Sequence, residues 1–141
     1  MVKYFSSGKE DMVRRRIKRV ALTAGIADAI AFAWQNPEGK SIVVTRVVVD
    51  RTTAGGVATS VLDVGPATSA TGTADTIIDG LDLNATGVAD NIADKGTNGT
   101  TKVVKLDKNG GTTPYITGKI LVAAASALVG YAYIEYLIVE D

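Results

Sequence analysis

The sequence contains no cysteine and no histidine among its 141 residues. Without cysteine there is no disulfide framework, no thiolate zinc site and no thiol nucleophile. Without histidine there is no Ser-His-Asp triad, no imidazole-ligated metal and no side chain that ordinarily titrates near neutral pH. These absences close the commonest routes to catalysis, so the chain is predicted not to be an enzyme.

The chain also lacks net charge, because 15 Lys and Arg residues balance 15 Asp and Glu residues. A neutral chain has no general attraction to nucleic acid or to an anionic membrane. The longest uncharged apolar-rich run, Ile120 to Ile134, has 15 residues, fewer than a membrane-spanning helix needs. We therefore expect no membrane partner and no direct role with nucleic acid. The length fits one domain with a single core.

The charge is balanced in total but not along the chain. Residues 1–22 contain seven basic and two acidic side chains, a net charge of +5, so residues 23–141 carry −5. Such asymmetry indicates either an arm that reaches an acidic partner or an edge strand whose charges prevent aggregation. We accordingly divide the chain into a basic N-terminal arm or first strand, 1–22, and a folded domain, 23–141. The residues predicted to bind a partner are Lys9, Val13, Arg14, Arg15, Arg16, Ile17, Lys18 and Arg19.

The segment Ile26–Trp34 has alanine at every odd position, and its even positions hold Asp28 and large apolar residues. A period of two is typical of a β-strand, because a helix would scatter the large residues around its circumference. The all-alanine face would allow close approach of another layer or subunit. The next segment, Asn36 to Gly39, predicts a turn.

Ser41–Arg51 is rich in β-branched residues and apolar on both faces, as in strands that are covered on both sides. Strict alternation places Val43, Val47 and Val49 on one face, and the next strand, Val57–Val64, is expected to follow as a hairpin partner. A monomer rarely exposes so much contiguous apolar surface, so we expect a homo-oligomer with closed symmetry, a trimer being favoured. The predicted interface consists of Ala27, Ala29, Ala31, Ala33, Val43, Val47 and Val49.

The rest of the chain has strand character as well. Residues 67–100 are poor in large apolar side chains and predict an ordered surface excursion with two short strands. Strands resume at 101–106, 115–124 and 130–140, and Asn109-Gly110 predicts a hairpin turn. About eight strands without long helices predict an all-β protein, an antiparallel β-sandwich of the jelly-roll type. Its core is expected to contain Phe32, Trp34, Ile134 and Tyr136.

Aspartates in the loops are the remaining candidates for chemistry. Calcium binds carboxylate and carbonyl oxygens, which such loops can supply. Their spacing matches no calcium-loop pattern, and aspartate in turns ordinarily accepts hydrogen bonds from nearby backbone. We therefore expect no cofactor, with calcium as the candidate ion if one is bound. The residues concerned are Asp63, Asp75, Asp79, Asp82, Asp90 and Asp94, together with Asn84 and Asn91.

Three segments carry a resemblance to a known group of proteins. They are Asp63-Val64-Gly65, Asp79-Gly80-Leu81-Asp82 and Gly130-Tyr131-Ala132-Tyr133-Ile134-Glu135-Tyr136. In this order they resemble small β-sandwich proteins encoded among the virion genes of tailed phages and related archaeal viruses. The resemblance covers roughly Val43 to Val139 and leaves out the basic segment. It implies a capsid-associated jelly-roll protein of the decoration, head-fibre or spike type.

The expected function is therefore that of a viral structural protein, made in the host cytoplasm and located on the capsid surface of the virion. It would oligomerise and bind the particle shell, with the major capsid protein or another virion protein as its partner. The alternative is a carbohydrate- or cell-surface-binding β-sandwich module, with or without calcium. Aromatic residues on one sheet face would favour that alternative, and Tyr131 and Tyr133 form a close pair.

Overall fold

The computed structural model describes residues 15–139, which form nine β-strands and no helix. None of the described residues therefore belongs to a helix that could span a membrane. The strands are β1 (Arg15–Ala21), β2 (Ile30–Gln35), β3 (Ile42–Thr53), β4 (Val61–Ala67), β5 (Ile78–Asp82), β6 (Gly87–Asp90), β7 (Val104–Leu106), β8 (Tyr115–Leu121) and β9 (Val129–Ile138).

The strands form two antiparallel sheets. Sheet one has the order β1-β9-β3-β6, with β7 also paired to β3, and sheet two has the order β2-β8-β4-β5. With β7 set aside, the first four strands pair with the last four in reverse order, as β1 with β9, β2 with β8, β3 with β6 and β4 with β5. A long hairpin wrapped in this way into two sheets is a jelly roll, so the predicted fold class is confirmed. The strand that the sequence pattern does not predict is β6, which has little apolar character.

The core lies between the two sheets and is built from the inward faces of their long strands. Phe32 and Trp34 from β2 meet Ile134 and Tyr136 from β9 in this core, as predicted. The rings of Trp34 and Tyr136 lie 5.1 Å apart between centroids. Alternation along β9 is regular, with Ala132, Ile134 and Tyr136 buried, so the sequence pattern translates directly into an inward face.

In β3 the alternation is broken by a bulge. The register with β9 shifts between Val44 and Arg46, so that Val44 and Val47 both point into the core. The prediction had placed these two residues on opposite faces and was wrong at this point. A bulge adds one residue to one strand, and every later side chain then changes face. The inward residues of β3 are therefore Ile42, Val44, Val47, Val49 and Arg51.

The second strand is shorter than predicted. It begins at Ile30 rather than Ile26, because Asp28 has a φ of 70°, outside the extended region. A shift in pairing between Ile30 and Phe32 then turns both Ala31 and Phe32 inward. The predicted division into a large-residue face and an alanine face is therefore incorrect.

Two predicted hairpins are also absent. The strands β3 and β4 lie in different sheets, and so do β7 and β8 on either side of Asn109-Gly110. Among the described strands, β4 and β5 are the one pair of chain neighbours that are also sheet neighbours. The strand β4 also continues through Gly65-Pro66 to Ala67, because β5 pairs with it only as far as Val64 and leaves Pro66 without that neighbour.

The wrapped hairpin collects its loops at two ends. One end, here called the neutral end, consists of residues 22–29, 54–60, 83–86 and 122–128. Backbone hydrogen bonds join these loops, from the Gly25 N–H to the Ala125 carbonyl, from the Gly55 N–H to the Leu83 carbonyl, and from the Ala127 N–H to the Gly55 carbonyl. The other end, the charged end, consists of residues 36–41, 68–77 and 107–114.

Candidate functional site

The basic segment is an edge strand over its described part. The strand β1 pairs along its whole length with β9, and residues 15–19 are exposed. Lys9, Val13 and Arg14 lie outside the described residues. Arg16 and Lys18 face the same way as the core residues Tyr136 and Ile134 opposite them, but at the margin of the sandwich. Inward-facing charges on an edge strand hinder pairing with another sheet, which was one of the two predicted roles.

Intramolecular contacts engage much of this positive charge. The Arg16 guanidinium lies 3.2 Å from the Glu38 carboxylate, and that of Arg15 lies 3.8 Å from Glu135. Arg19 lies over the Tyr131 ring, 4.7 Å from its centroid. Ile17 is 63% exposed in the middle of the strand. The partner-binding role of Arg15, Arg16, Ile17, Lys18 and Arg19 stays a prediction, now for a sheet edge rather than a free arm.

The residues of the predicted oligomer interface do not form one surface. Ala31, Val47 and Val49 have no exposed area, so their side chains offer nothing to another subunit, and their assignment is corrected. The bulges of β2 and β3 turned them inward. Ala33 and Val43 lie on the outer faces of opposite sheets, where they pair with Thr117 and Leu137. Ala27 and Ala29 belong to the neutral end, and both are half-buried.

Three of the candidate aspartates come together beside β4 and β5. In the described part of the chain, Asp63, Asp75 and Asp79 place carboxylate oxygens within 4.8 Å of one another. Burial, and then the neighbouring carboxylates of Asp79 and Asp75, raise the pKa of Asp63 above its ordinary value. Calcium takes six to eight oxygen ligands, more than three carboxylates usually supply.

Hydrogen bonds show what this acidic cluster does in the fold. Asp63 accepts the Gly80 N–H at 2.8 Å, and Asp79 accepts the Asn98 N–H at 2.9 Å. The Asn98 side-chain amide donates to Asp75 at 2.8 Å. The carboxylates thereby attach β5 and the segment 91–103 to β4. Two of the resembling segments meet here, and Gly80, with a φ of 75°, adopts a conformation that favours glycine.

The remaining candidate acids accept hydrogen bonds from backbone N–H groups a few residues away, as expected of aspartate in turns. Asp82 accepts the Asn84 N–H, and Asp94 accepts the Asp90 N–H. Asp90 accepts the N–H groups of Ile92 and Ala93 and forms an ion pair with Arg46. The hydrogen bond from Arg46 lowers the pKa of Asp90. Asn91 fills the break between β6 and β7 by accepting the Val47 N–H and donating to the Thr100 carbonyl.

The aromatic pair of the sequence lies on the outer face of sheet one. The rings of Tyr131 and Tyr133 are 6.4 Å apart between centroids and inclined by 52°. Tyr136 lies three residues after Tyr133 on β9 and points inward, and its hydroxyl donates to Glu38 at 3.1 Å. Burial raises the pKa of Tyr136. The half-buried rings of Tyr131 and Tyr133 and the exposed side chain of Arg19 thus form a small aromatic and cationic surface.

The neutral end is the surface that sequence reasoning missed. Its four loops contain a single charged residue, Asp28, whose carboxylate lies 3.3 Å from the Lys119 amine. Ile26 and Val122, both 74% exposed, project from two of these loops. The lack of charge is visible in the sequence, but it is spread over four separate segments that become one surface only through the topology.

Comparisons with known proteins complete the description. No family model and no curated protein matches this chain. A solved structure entitled "Cyanophage Pam1 capsid asymmetric unit" is similar to it with a TM-score of 0.43 and 20% sequence identity, over 92% of this chain and 85% of that chain.

Proposed function

We propose that this chain is a structural protein of a virion, a decoration or spike protein on the capsid surface that self-associates and attaches to the particle shell. It acts by binding rather than by catalysis and uses no cofactor. Its partners are further copies of itself and the major capsid protein or another virion protein. It is made in the host cytoplasm and functions outside it, as part of the particle.

The observation that carries the proposal is the segregation of the jelly-roll surface into a neutral apolar end and a charged end. A molecule with two chemically distinct ends is suited to hold different neighbours at each. The charged end has an open depression lined by Ser41, Asp107, Lys108, Gly111 and Thr112. Its carboxylate, Asp107, accepts the Thr113 N–H at 2.9 Å and so organises the loop. The contrast between the two ends supports a role in assembly.

The segments that resemble virion proteins support the same function, because each performs a structural task. Asp63 and Gly80 tie β4 to β5. Gly130 lies so close to the Asp50 carbonyl that a side chain there would overlap it. A jelly roll alone does not define function, since viral capsid and lectin domains share it. The combination of assembly surfaces and structural motifs favours the virion role.

The test is quantitative mass spectrometry of particles purified from the virus that encodes the chain. We expect the protein in many copies per particle, retained after washing in buffer of moderate salt. Its absence from intact particles, with the major capsid protein detected in the same sample, would rule out the proposal.

The second candidate function is carbohydrate binding, favoured by the neighbouring rings of Tyr131 and Tyr133 on the outer face of sheet one. It predicts binding to a glycan array that is lost in the Tyr131→Ala and Tyr133→Ala variants but kept in Tyr115→Ala, whose side chain is on sheet two. Repeating the assay with EDTA would separate calcium-dependent from calcium-independent binding. Absence of any glycan signal for the wild-type protein would exclude this second function.

A further inference from the structure

Exposed hydrophobic side chains are concentrated around the neutral end. Of the eight large hydrophobic residues that are exposed in the described chain, five lie in its loops or on the strand ends next to them. Those on the strands extend the apolar surface onto the outer face of sheet one, where Val88 pairs with Asp50 and Val129 with Thr53. The five residues are Ile26, Val57, Val88, Val122 and Val129.

Val122 has a strained backbone as well as an exposed side chain. Its φ of 68° lies in the left-handed region, which is unfavourable for a β-branched residue and comfortable for glycine or asparagine. With 74% of its surface exposed, the isopropyl group adds little to the core. The strain at Val122 is therefore not offset by burial of its side chain within the monomer, whereas a contact with another molecule would bury it.

We propose that the neutral end is the self-association face and that its occupant is the same end of further copies of this chain. Around a symmetry axis identical residues come together, so a charged surface would repel itself while this one does not. The one charged residue of its four loops, Asp28, is already paired with Lys119. The charged end, with Glu38, Asp75 and Lys108, has no such property.

A stable contact would occupy a small part of the molecular surface. A standard interface buries about 800 Å² on each partner. The chain has 7416 Å² of accessible surface, so such an interface needs only about a ninth of it. This assignment rests on the proposed function in so far as that function includes self-association, and it adds the surface.

The first experiment compares matched variants by sedimentation and light scattering over micromolar concentrations. Val122→Asn and Ile26→Ser remove apolar contacts from the neutral end, and Asn also suits the backbone at position 122. Val103→Asn and Ile92→Ser remove exposed apolar side chains from the segment 91–103, away from this end. We expect an oligomeric wild type, at least a tenfold weaker association for the first two variants and no change for the controls.

A measurement of unfolding separates an interface role from a structural one. In the monomeric state Val122→Asn should melt at the same temperature as the wild type or higher, because strain is relieved. A lower melting temperature would show that Val122 stabilises the monomer, and would overturn the argument drawn from its strain. The Ile26→Ser variant then decides the location of the interface by itself.

Engineered cysteines give a direct test of proximity, because the natural chain has no cysteine. Ser126, exposed in the loop 122–128, is replaced by Cys in one variant, and Thr97, exposed in the segment 91–103, in a control. Mild oxidation should cross-link Ser126→Cys into covalent dimers while Thr97→Cys stays monomeric on a denaturing gel.

Two results would overturn the inference. One is a wild-type protein that is monomeric at 100 µM by light scattering, a concentration chosen on the order of a weak assembly contact. The other is an oligomer that survives both neutral-end variants or dissociates equally in the controls. Neither result bears on whether the protein is found in particles, so failure of this inference is distinct from failure of the proposed virion role.

Discussion

Gly118 on β8 lies directly beneath the ring of Phe32 on β2. The two residues are paired across the sheet, and a Cβ atom at position 118 would stand 2.6 Å from Phe32 Cδ1 and closer still to Cε1. The irregular pairing between Ile30 and Phe32 turns the ring inward over this strand. The absence of a side chain at 118 therefore makes room for one of the largest groups in the core.

Gly118→Ala is expected to destabilise the protein by about 1–3 kcal/mol, the usual cost of overpacking a core. The Phe32 ring is buried and has little freedom to move aside. The change should appear as a lower denaturant midpoint with an unchanged slope. Gly39→Ala is the control, since nothing lies within 4 Å of a Cβ placed there. Equal stability of the two variants would show that the core yields to the added methyl group.

The ion pair between Asp90 and Arg46 predicts a pH dependence of stability. The pKa of Asp90 is lowered, chiefly by the hydrogen bond from Arg46, so the folded protein binds this proton more weakly than the unfolded chain does. The resulting stability is present above the unfolded pKa of 3.8 and is lost as the pH falls through the folded pKa. Asp90→Asn keeps an oxygen for the Ile92 and Ala93 N–H groups but removes the charge.

We expect Asp90→Asn to be less stable than wild type at pH 7, with the difference shrinking below about pH 4. Urea unfolding at a series of pH values measures this. Asp50→Asn removes a carboxylate from the same face of sheet one and controls for the change in net charge. A difference that stays constant down to pH 2 would contradict the ion-pair explanation.

Asp63 is expected to behave in the opposite way. Burial raises its pKa, so its favourable contribution is complete below the unfolded pKa of 3.8 and is lost as the pH rises through the higher folded value. At neutral pH the charged carboxylate therefore lowers the stability of the folded protein. Asp63→Asn retains an acceptor for the Gly80 N–H and should raise the melting temperature at pH 7 by up to a few degrees.

The gain from Asp63→Asn should vanish near pH 3, where the wild-type carboxyl is protonated as well. Asp82→Asn serves as the comparison, because Asp82 lies on β5 but outside the acidic cluster. The variant keeps an oxygen that can accept the Asn84 N–H. A loss of stability at pH 7 in Asp63→Asn would show that the negative charge itself is needed there.

The basic edge strand predicts salt-dependent attachment to the particle. Replacing Arg14, Arg15 and Arg16 with Ser should leave the sandwich folded and weaken attachment several-fold. The weakening should be largest at low ionic strength, because exposed charges are screened by salt. The control replaces Lys95, Lys102 and Lys105 with Ser, which removes the same charge elsewhere. Loss of the fold, or unchanged attachment at every salt concentration, would refute a docking role for this strand.

How far the sequence predicts this structure depends on whether its local pattern is undisturbed. In β9 the alternation is regular, so Ile134 and Tyr136 were placed correctly in the core. In β3 a single extra residue near Thr45 reversed the faces of Val47 and Val49, and nothing in a run of β-branched residues marks where a bulge occurs. Strand identity follows from composition, whereas register depends on partners far away in the chain.

The functional candidates also divide into those that depend on nearby residues and those that depend on distant ones. The aspartates were predicted to act as turn acceptors, and Asp82 and Asp90 do so within a few residues of themselves. The neutral end could not be predicted, because Ile26 and Val122 are almost a hundred residues apart and their loops are joined only in the fold, where Gly25 pairs with Ala125. Local chemistry is readable in one sequence, but a surface assembled from four loops is not.

The position of β8 and β9 inside their sheets also sets an order of events during protein synthesis. These two strands are synthesised after the other seven described strands, yet each is the inner strand that joins β1 or β2 to the rest of its sheet. A growing chain that ends before Tyr115 can form only the pairs of β4 with β5 and of β3 with β6 and β7. Until β8 has been synthesised, β2 has no sheet neighbour, and such exposed apolar strands are prone to aggregate. The complete sandwich can therefore form only once both β8 and β9 have left the ribosome.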